Sequence, residues 1–351
     1  MLVAIAGSGA IAFASAAYLI RSGHEVRMWS PRSDSAAALR TEPLVAHGSV
    51  MAQGPVAVVD TAADLCRGAT VVLVAAPVNG HRSIADALAP HLEVGSTVII
   101  SSTASLSALY MFEAAQRAGK TVTVASFGTT TLTARREGPA LVRVMTVRKR
   151  LGVSVLPRNE VTNGIALCRA LFGDVFVAEA NALASSLVNI NPVAHAPLAL
   201  FNWTRIERAE NWPQYHYMTP HVAAVIEQLD RERLALANRF GIKVRSIETH
   251  FAESFGTTAT RLADIAAELH AARGGPPGPT TTSSRFIDED VPFGLVFNEE
   301  VGRLAGVAMP ATRTIIDACE LMVGRKLRTD NDLIGPLRIA EETTDGLLAR
   351  V

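Results

Sequence analysis

The sequence predicts an α/β protein in two parts, a doubly wound parallel sheet followed by an all-α domain. Three observations predict it. Short apolar runs alternate with Ala-rich helical stretches through the first half. A glycine turn, Gly7-Ser8-Gly9-Ala10-Ile11-Ala12, separates the first apolar run from the first helical stretch. From about residue 182 the strand pattern gives way to helical periodicity. A length of 351 residues is comfortable for two domains. The expected boundaries are 1–180 and 181–351.

The elements follow in order. Leu2–Ala6 reads as a strand, Ala10–Arg21 as a helix and Glu25–Trp29 as a second strand. Further β-rich runs cover 55–59, 70–75 and 97–101, with helical stretches at 61–67, 83–92 and 106–118. Such alternation implies a parallel sheet covered on both faces. A strand buried on both sides is apolar throughout, as Val71-Val72-Leu73-Val74 is. Strands are expected again over 121–126, Leu141–Val147 and 153–156, then a helix over 159–172 and a last strand over 175–178. In the second half, Thr219 and Pro220 suit the cap and first position of a long amphipathic helix over 220–240. A Gly/Pro/Thr-rich loop follows over 274–282.

Composition narrows the function. Lys and Arg total 33, as do Asp and Glu, and no basic block runs along the chain. Nucleic acid is not expected as a partner, because phosphate binding needs clustered positive charge. Cys66, Cys168 and Cys319 are far apart and show no metal-ligand spacing. They read as buried free thiols of a reducing cytoplasm, and no metal site is expected. The apolar run over 2–20 lacks a positive leader and is broken by Gly7-Ser8-Gly9, so a signal peptide is not expected. No other run reaches membrane-spanning length without charge or proline.

The glycine turn has the G-x-G-x-x-A form of a dinucleotide-binding, Rossmann-type unit. Gly7 allows the tight turn, Gly9 lets backbone approach a pyrophosphate, and Ala12 lets helix and strand pack closely. The helix start, with Ser8, Ala10 and Ile11, supplies free N–H groups and a positive dipole. The end of the second strand selects the cofactor. An acidic residue there would hold the ribose 2′-hydroxyl of NAD, whereas this chain has Ser30-Pro31-Arg32. A hydroxyl and a guanidinium suit a 2′-phosphate, so NADP is expected. Asp34 keeps NAD as the alternative, and Arg32 also reads as a solvated loop residue. Ala76 and Pro77, just after the fourth strand, are expected at the carboxyl edge of the sheet, where ligands bind.

In the second half, Asn189-Ile190-Asn191-Pro192-Val193-Ala194-His195-Ala196-Pro197 places a histidine and two asparagines between prolines. A helix here is expected to be kinked or only beginning, with carbonyls left unpaired near His195. A functional histidine and a structural one both fit this pattern.

This segment resembles the catalytic-histidine segment of the opine dehydrogenase family (octopine, nopaline and related enzymes). Two further stretches carry the resemblance. One is Met218-Thr219-Pro220 leading into Asp230-Arg231-Glu232-Arg233. The other is Gly278-Pro279 followed by Arg285-Phe286-Ile287-Asp288-Glu289-Asp290-Val291-Pro292-Phe293-Gly294-Leu295. The resemblance covers nearly the whole chain, in the right order. The resemblance implies reductive condensation of a 2-keto acid with the amine of an amino acid, and the reverse oxidation. It implies His195 as general acid/base, Asp290 as its orienting partner, and Arg285 as a holder of that acidic pair or of a substrate carboxylate. Asp290 also reads as a helix cap, and Arg285 as a surface partner of Asp288 or Glu289. The spacing of 285 and 290 fits neither one helix face nor one strand face, which suggests a loop.

Asn191 is a further candidate for substrate contact. Tyr215 stands with Trp203, Trp212 and Tyr217 in a local aromatic cluster, in a chain with three Trp and four Tyr. Polar-tipped aromatics suit a pocket lining, or packing against a second subunit in a homodimer. Two other functions share the frame. A ketopantoate reductase-like enzyme would act on a simple 2-keto or 3-hydroxy acid, commonly with a lysine on the helical domain. A non-catalytic NADP-binding regulator would keep the fold without the chemistry.

Overall fold

A computed structural model describes residues 1–31 and 34–351, and of Asp34 the backbone alone. The chain forms two units, Met1–Ser186 with Val351, and Leu187–Arg350.

The first unit carries β1 (Leu2–Ala6), β2 (Glu25–Trp29), β3 (Leu44–Gly48), β4 (Ala52–Gly54), β5 (Ala57–Val58) and β6 (Val71–Val74). It continues with β7 (Thr97–Ile100), β8 (Thr123–Phe127), β9 (Leu132–Arg136), β10 (Leu141–Val147), β11 (Leu151–Leu156) and β12 (Phe176–Ala178). Eight strands form one sheet in the order β12-β11-β8-β7-β6-β1-β2-β5, parallel except where β11 meets β8. The direction of winding reverses between β1 and β6, so the crevice outside their carboxyl ends is where a ligand belongs.

A second sheet, in the order β4-β3-β10-β9, was not anticipated from the sequence. Its reason lies in α1 (Ala10–Arg21), whose residues Ala12 to Ala17 and Leu19 are all buried. A helix apolar on every side needs cover on every side. The large sheet supplies one layer, and β3, β4, β9 and β10 supply the other. Phe13, Leu44, Val142 and Val144 share one core cluster with Val3 and Ile5.

The remaining helices of this unit are α2 (Ala62–Cys66), α3 (His81–Leu88), α4 (Ser107–Arg117), α5 (Val161–Phe172) and α6 (Ala182–Leu187). Helix α6 explains where the first unit ends. Ser185 Oγ lies 2.8 Å from Ser154 Oγ of β11, and Ser186 Oγ accepts from the Leu106 amide at 3.2 Å.

His81 opens α3 and is buried. Its Nε2–H donates to the Ala76 carbonyl at 2.9 Å, which leaves Nδ1 to accept from Ser107 Oγ, also at 2.9 Å. Burial pushes its pKa down to about 4. The unfolded chain therefore binds a proton near pH 6.5 that the folded chain refuses until about pH 4. Stability is full above pH 6.5 and falls as pH drops through that window, by on the order of 3 kcal/mol in total. Urea melts at pH 7.5 and pH 5 check this. His81→Gln is expected to flatten the difference, and an equal pH dependence in the variant would remove His81 as its source.

The second unit is helical: α7 (Asn191–Phe201), α8 (Trp203–Glu207), α9 (Pro220–Arg239), α10 (Ile247–Phe255) and α11 (Leu262–Arg273), then α12 (Arg285–Asp288), α13 (Phe297–Ala305), α14 (Pro310–Val323) and α15 (Thr344–Arg350). Thr219 occupies the cap position of α9 without a side-chain cap bond, and Pro220 is its first residue. Helices α7, α11, α13 and α14 pack around α9.

The charged block on α9 is scaffold. Buried Arg233 donates to Asp230 Oδ1 and to the carbonyls of Leu187 and Arg245, at 2.6–2.8 Å. Asp230 Oδ2 accepts from the Ile247 amide at 2.9 Å. Glu232 accepts from the amides of Ala311 and Thr312, capping the start of α14. Paired in this way, the buried charges tie α10, α14 and the backbone at Leu187 and Arg245 to α9.

Candidate active site

The first unit carries the glycine turn. The Gly7 amide donates to the Trp29 carbonyl at 2.8 Å, and Gly7 sits at φ +134°. A β-carbon there would stand 2.2 Å from the Ala75 carbonyl oxygen at the end of β6. Only glycine fits this approach of β1 to β6. Gly9 is the N-cap of α1, and a β-carbon on it would meet nothing within 4 Å. The space in front of the helix start is open, with the N–H groups of Ala10, Ile11 and Ala12 at the first turn. These residues fit a dinucleotide pyrophosphate.

Around the turn, Ser8 Oγ bonds to Ser35 Oγ. Ser30 follows β2 and is half-buried. Arg32 lies outside the described residues. Ala76 follows β6, held through its carbonyl by His81, and Pro77 caps the short turn leading into α3.

The helical unit carries its own cluster of candidate residues. His195 Nδ1–H donates to Asp290 Oδ2 at 2.8 Å. Asp290 is 3% exposed and His195 17%. The imidazole lies flat on the Phe286 ring, centroids 3.8 Å apart and planes within 2°. Nε2 has no hydrogen-bond partner among the described residues. One ring nitrogen is fixed by a carboxylate, one face is covered by a ring, and the other nitrogen is left to work.

Local structure explains the placement. Asn189 Oδ1 accepts from the Asn191 amide at 3.0 Å, turning the chain into α7. Pro192 falls in the first turn, where a missing N–H costs nothing. Helix α7 does not stop at Pro197, which lies inside it and leaves the Val193 carbonyl without an i+4 amide. Asn191 and His195 are four apart and share a face of the helix.

Arg285 and Asp290 do not lie on a loop. Arg285–Asp288 is a helical turn, and Val291–Val296 continues as a π-helical turn with Asp290 at its start. Asp290 makes no side-chain cap bond there, since its carboxylate is turned to His195. Positions five apart in α-helical geometry, as at the turn Arg285–Asp288, point roughly 140° apart. Arg285 accordingly makes no contact with Asp290 or His195. It is 54% exposed and pairs with Glu289 at 3.6 Å, as a surface ion pair of little energy. Positions 286 and 290 do share a face, which is why Phe286 and Asp290 both reach His195.

Gly294 locks the two segments together. A β-carbon there would lie 2.2 Å from Pro192 Cγ. The Pro192 ring occupies the space that a side chain at 294 would take.

Tyr215 does not offer a pocket wall. It is 8% exposed and packs on Phe251, Phe255 and Gly275 within its own unit. Trp212 covers Gly278 and donates Nε1–H to the Pro279 carbonyl at 2.9 Å. Gln214 adds bonds to the carbonyls of Pro276 and Pro277. These side chains clamp the Gly/Pro loop over 274–282, and that loop leads into Arg285.

Residues 178–323 match the family model described as NAD/NADP octopine/nopaline dehydrogenase, alpha-helical domain. An opine dehydrogenase of Arthrobacter sp. (strain 1C) is 27% identical over 99% of this chain and 98% of its own length. Over nearly its whole length the chain is similar to an opine dehydrogenase, and its helical unit matches the octopine/nopaline dehydrogenase domain. Its first unit also matches, over residues 2–105, the family of NADP oxidoreductases, coenzyme F420-dependent. Two solved structures share the opine dehydrogenase fold. An octopine dehydrogenase with NADH and L-arginine gives a TM-score of 0.82 at 18% identity, covering 99% of this chain and 98% of that one. A yersinopine dehydrogenase with NADP+ bound gives 0.74 at 17%, covering 98% of each.

Three side chains beside these opine dehydrogenase elements carried no motif. Phe286 was legible from its i, i+4 relation to Asp290. His81, buried against Ala76, and Arg136 of β9, bonded to the turn, depend on tertiary neighbours that spacing does not reveal.

Proposed function

We propose that the chain is an NAD(P)H-dependent opine-type dehydrogenase, an oxidoreductase acting on CH–NH groups. It condenses a 2-keto acid with the amino group of an amino acid, reduces the resulting imine, and runs the reverse oxidation. The observation that carries this reading is the His195–Asp290 pair, with Nε2 of the ring left unbonded among the described residues.

Imine formation releases water and needs a proton donor, and reduction of the imine needs a proton as well as a hydride. His195 gives and takes that proton at Nε2, since an imidazole nitrogen can both donate and accept a proton. Asp290 fixes the ring through Nδ1. Arg285, exposed and paired only loosely with Glu289, supplies a cation for a substrate carboxylate. Asn191, on the His195 face of α7, offers a polar contact to the same substrate. The first unit holds the dinucleotide by the turn from Gly7 to Ile11, with Ser30, Ala76 and Pro77 contributing, and Arg32 is the expected partner of a 2′-phosphate. The bound nicotinamide supplies the hydride. NADPH is the expected cofactor, with NADH the alternative.

A reductase of simple keto acids commonly uses a lysine of the helical domain. The two lysines of the helical unit, Lys243 and Lys326, are both exposed, and Lys326 faces Glu320. The three cysteines are free and buried, which suits a reducing cytoplasm, and burial pushes each thiol well above its ordinary pKa. Among the described residues no helix is long and apolar enough to cross a membrane, and no cluster could hold a metal ion.

The test combines protein, NADPH, a 2-keto acid such as pyruvate, and a panel of amino acids. Loss of nicotinamide absorbance only with both co-substrates, and a secondary amine found by mass, is the expected result. Oxidation with the keto acid alone would replace this reading with a keto-acid reductase. Cofactor binding without turnover on any panel would replace it with a regulator.

A further inference from the structure

Arg136, the last residue of β9 in the second sheet, reaches the cofactor turn. Its Nη1 donates to the Ser35 carbonyl at 2.8 Å and to the Ser8 carbonyl at 3.3 Å. Its Nη2 donates to the carbonyls of Pro139 at 2.6 Å and Gly138 at 3.4 Å. The guanidinium carbon sits 4.1 Å from the centroid of the Phe13 ring on α1. Every partner is neutral, and no described carboxylate pairs with it. Desolvation pulls its pKa below the ordinary arginine value. Among the described residues, this partly desolvated cation has no anion to offset it.

The position gives that charge a purpose. Ser8 belongs to the turn that faces the pyrophosphate, and Ser35 to the segment after β2, the side that receives the adenosine ribose in this kind of unit. The two are also joined through their hydroxyls. The start of α1 already serves the pyrophosphate, which NADH and NADPH share. The extra anion of NADPH is its 2′-phosphate.

We propose that Arg136 is a cofactor-specificity residue: its uncompensated charge, braced between Ser8 and Ser35, favours a dinucleotide bearing an adenosine 2′-phosphate. The inference rests on the oxidoreductase reading of the first unit and needs nothing from the helical one. Its donors are spent on carbonyls, so it acts through charge and through the placement of the segment after β2.

Binding without substrate tests it. Affinities for NADPH, NADH, 2′,5′-ADP and 5′-ADP are measured by calorimetry in wild type, Arg136→Met and Arg136→Lys, with Tm recorded for each. In Arg136→Met, which keeps the packing on Phe13, affinity for NADPH and 2′,5′-ADP is expected to fall about tenfold or more. Affinity for NADH and 5′-ADP is expected to stay within about threefold. Arg136→Lys keeps the charge and is expected to retain most of the NADPH preference. Raising the salt concentration is expected to erode that preference in wild type and not in Arg136→Met. Equal losses for all four ligands, or losses in both variants that track a lowered Tm, would make Arg136 a structural brace and overturn the proposal. No change for any ligand would overturn it as well. A wild type that binds neither dinucleotide would instead remove the oxidoreductase reading itself.

Discussion

Replacing His195 with Ala lowers kcat by roughly 10²–10⁴-fold and leaves NADPH affinity near that of wild type. The proton at Nε2 has no other carrier on that ring face, because Nδ1 is spent on Asp290 at 2.8 Å. Asp290→Asn is expected to lose activity on a similar scale. An amide accepts from Nδ1–H less strongly and can present an N–H to it instead, which frees the ring to turn and to choose the wrong tautomer. Steady-state rates with both co-substrates saturating, and NADPH titrations followed by nicotinamide fluorescence, check both variants. Near-normal turnover in His195→Ala would refute the assignment. A drop in NADPH affinity equal to the drop in kcat would refute its restriction to chemistry.

Gly7→Ala has the second large effect, on the fold as well as the cofactor. The new β-carbon lies 2.2 Å from one backbone oxygen and 2.8 Å from its carbon, so no side chain can swing aside to relieve it. The positive φ adds strain of its own. The expected cost is about 3–5 kcal/mol of stability, with NADPH binding lost. Gly9→Ala is the informative contrast. Its backbone is extended at φ −81°, and its β-carbon would meet no protein atom within 4 Å. Stability is expected to hold within about 1 kcal/mol, while the methyl group intrudes where the pyrophosphate approaches. Chemical melts and NADPH titrations of the two variants separate the roles. A stable Gly7→Ala protein that binds NADPH would contradict the close approach of β1 and β6.

Much of this was legible in the sequence where local chemistry decides. The first strand, turn and helix follow from two glycines and an apolar run. The expectation of a parallel sheet followed by helices agrees with the observed order. The second sheet was harder to see, because β3 and β4 are short and partly exposed. Its signature was on another element: α1 has no polar face, so one sheet is not enough to cover it. The histidine segment was legible as a helix start, and Asp290 as its partner through resemblance. The loop expected around Arg285 failed because spacing was judged for the wrong pair. Residues 286 and 290, not 285 and 290, share a face. Tyr215 illustrates the opposite limit, since a polar-tipped aromatic looks the same in sequence whether it lines a pocket or clamps a loop.

The contact between Pro192 and Gly294 contains no polar atom, yet it sets the register of the two segments that carry the acid/base pair. Only two residues of helix lie between Pro192 and His195, and three lie between Asp290 and Gly294, so seating the ring also seats the imidazole. For anyone reshaping this enzyme, the pair behaves as a single interchangeable part. Side chains around it can be exchanged one at a time to suit a new amine, but positions 192 and 294 have to be redesigned together or left alone. A larger residue at 294 would shift the histidine without touching it, and would pass unnoticed in any survey confined to side chains that meet the substrate.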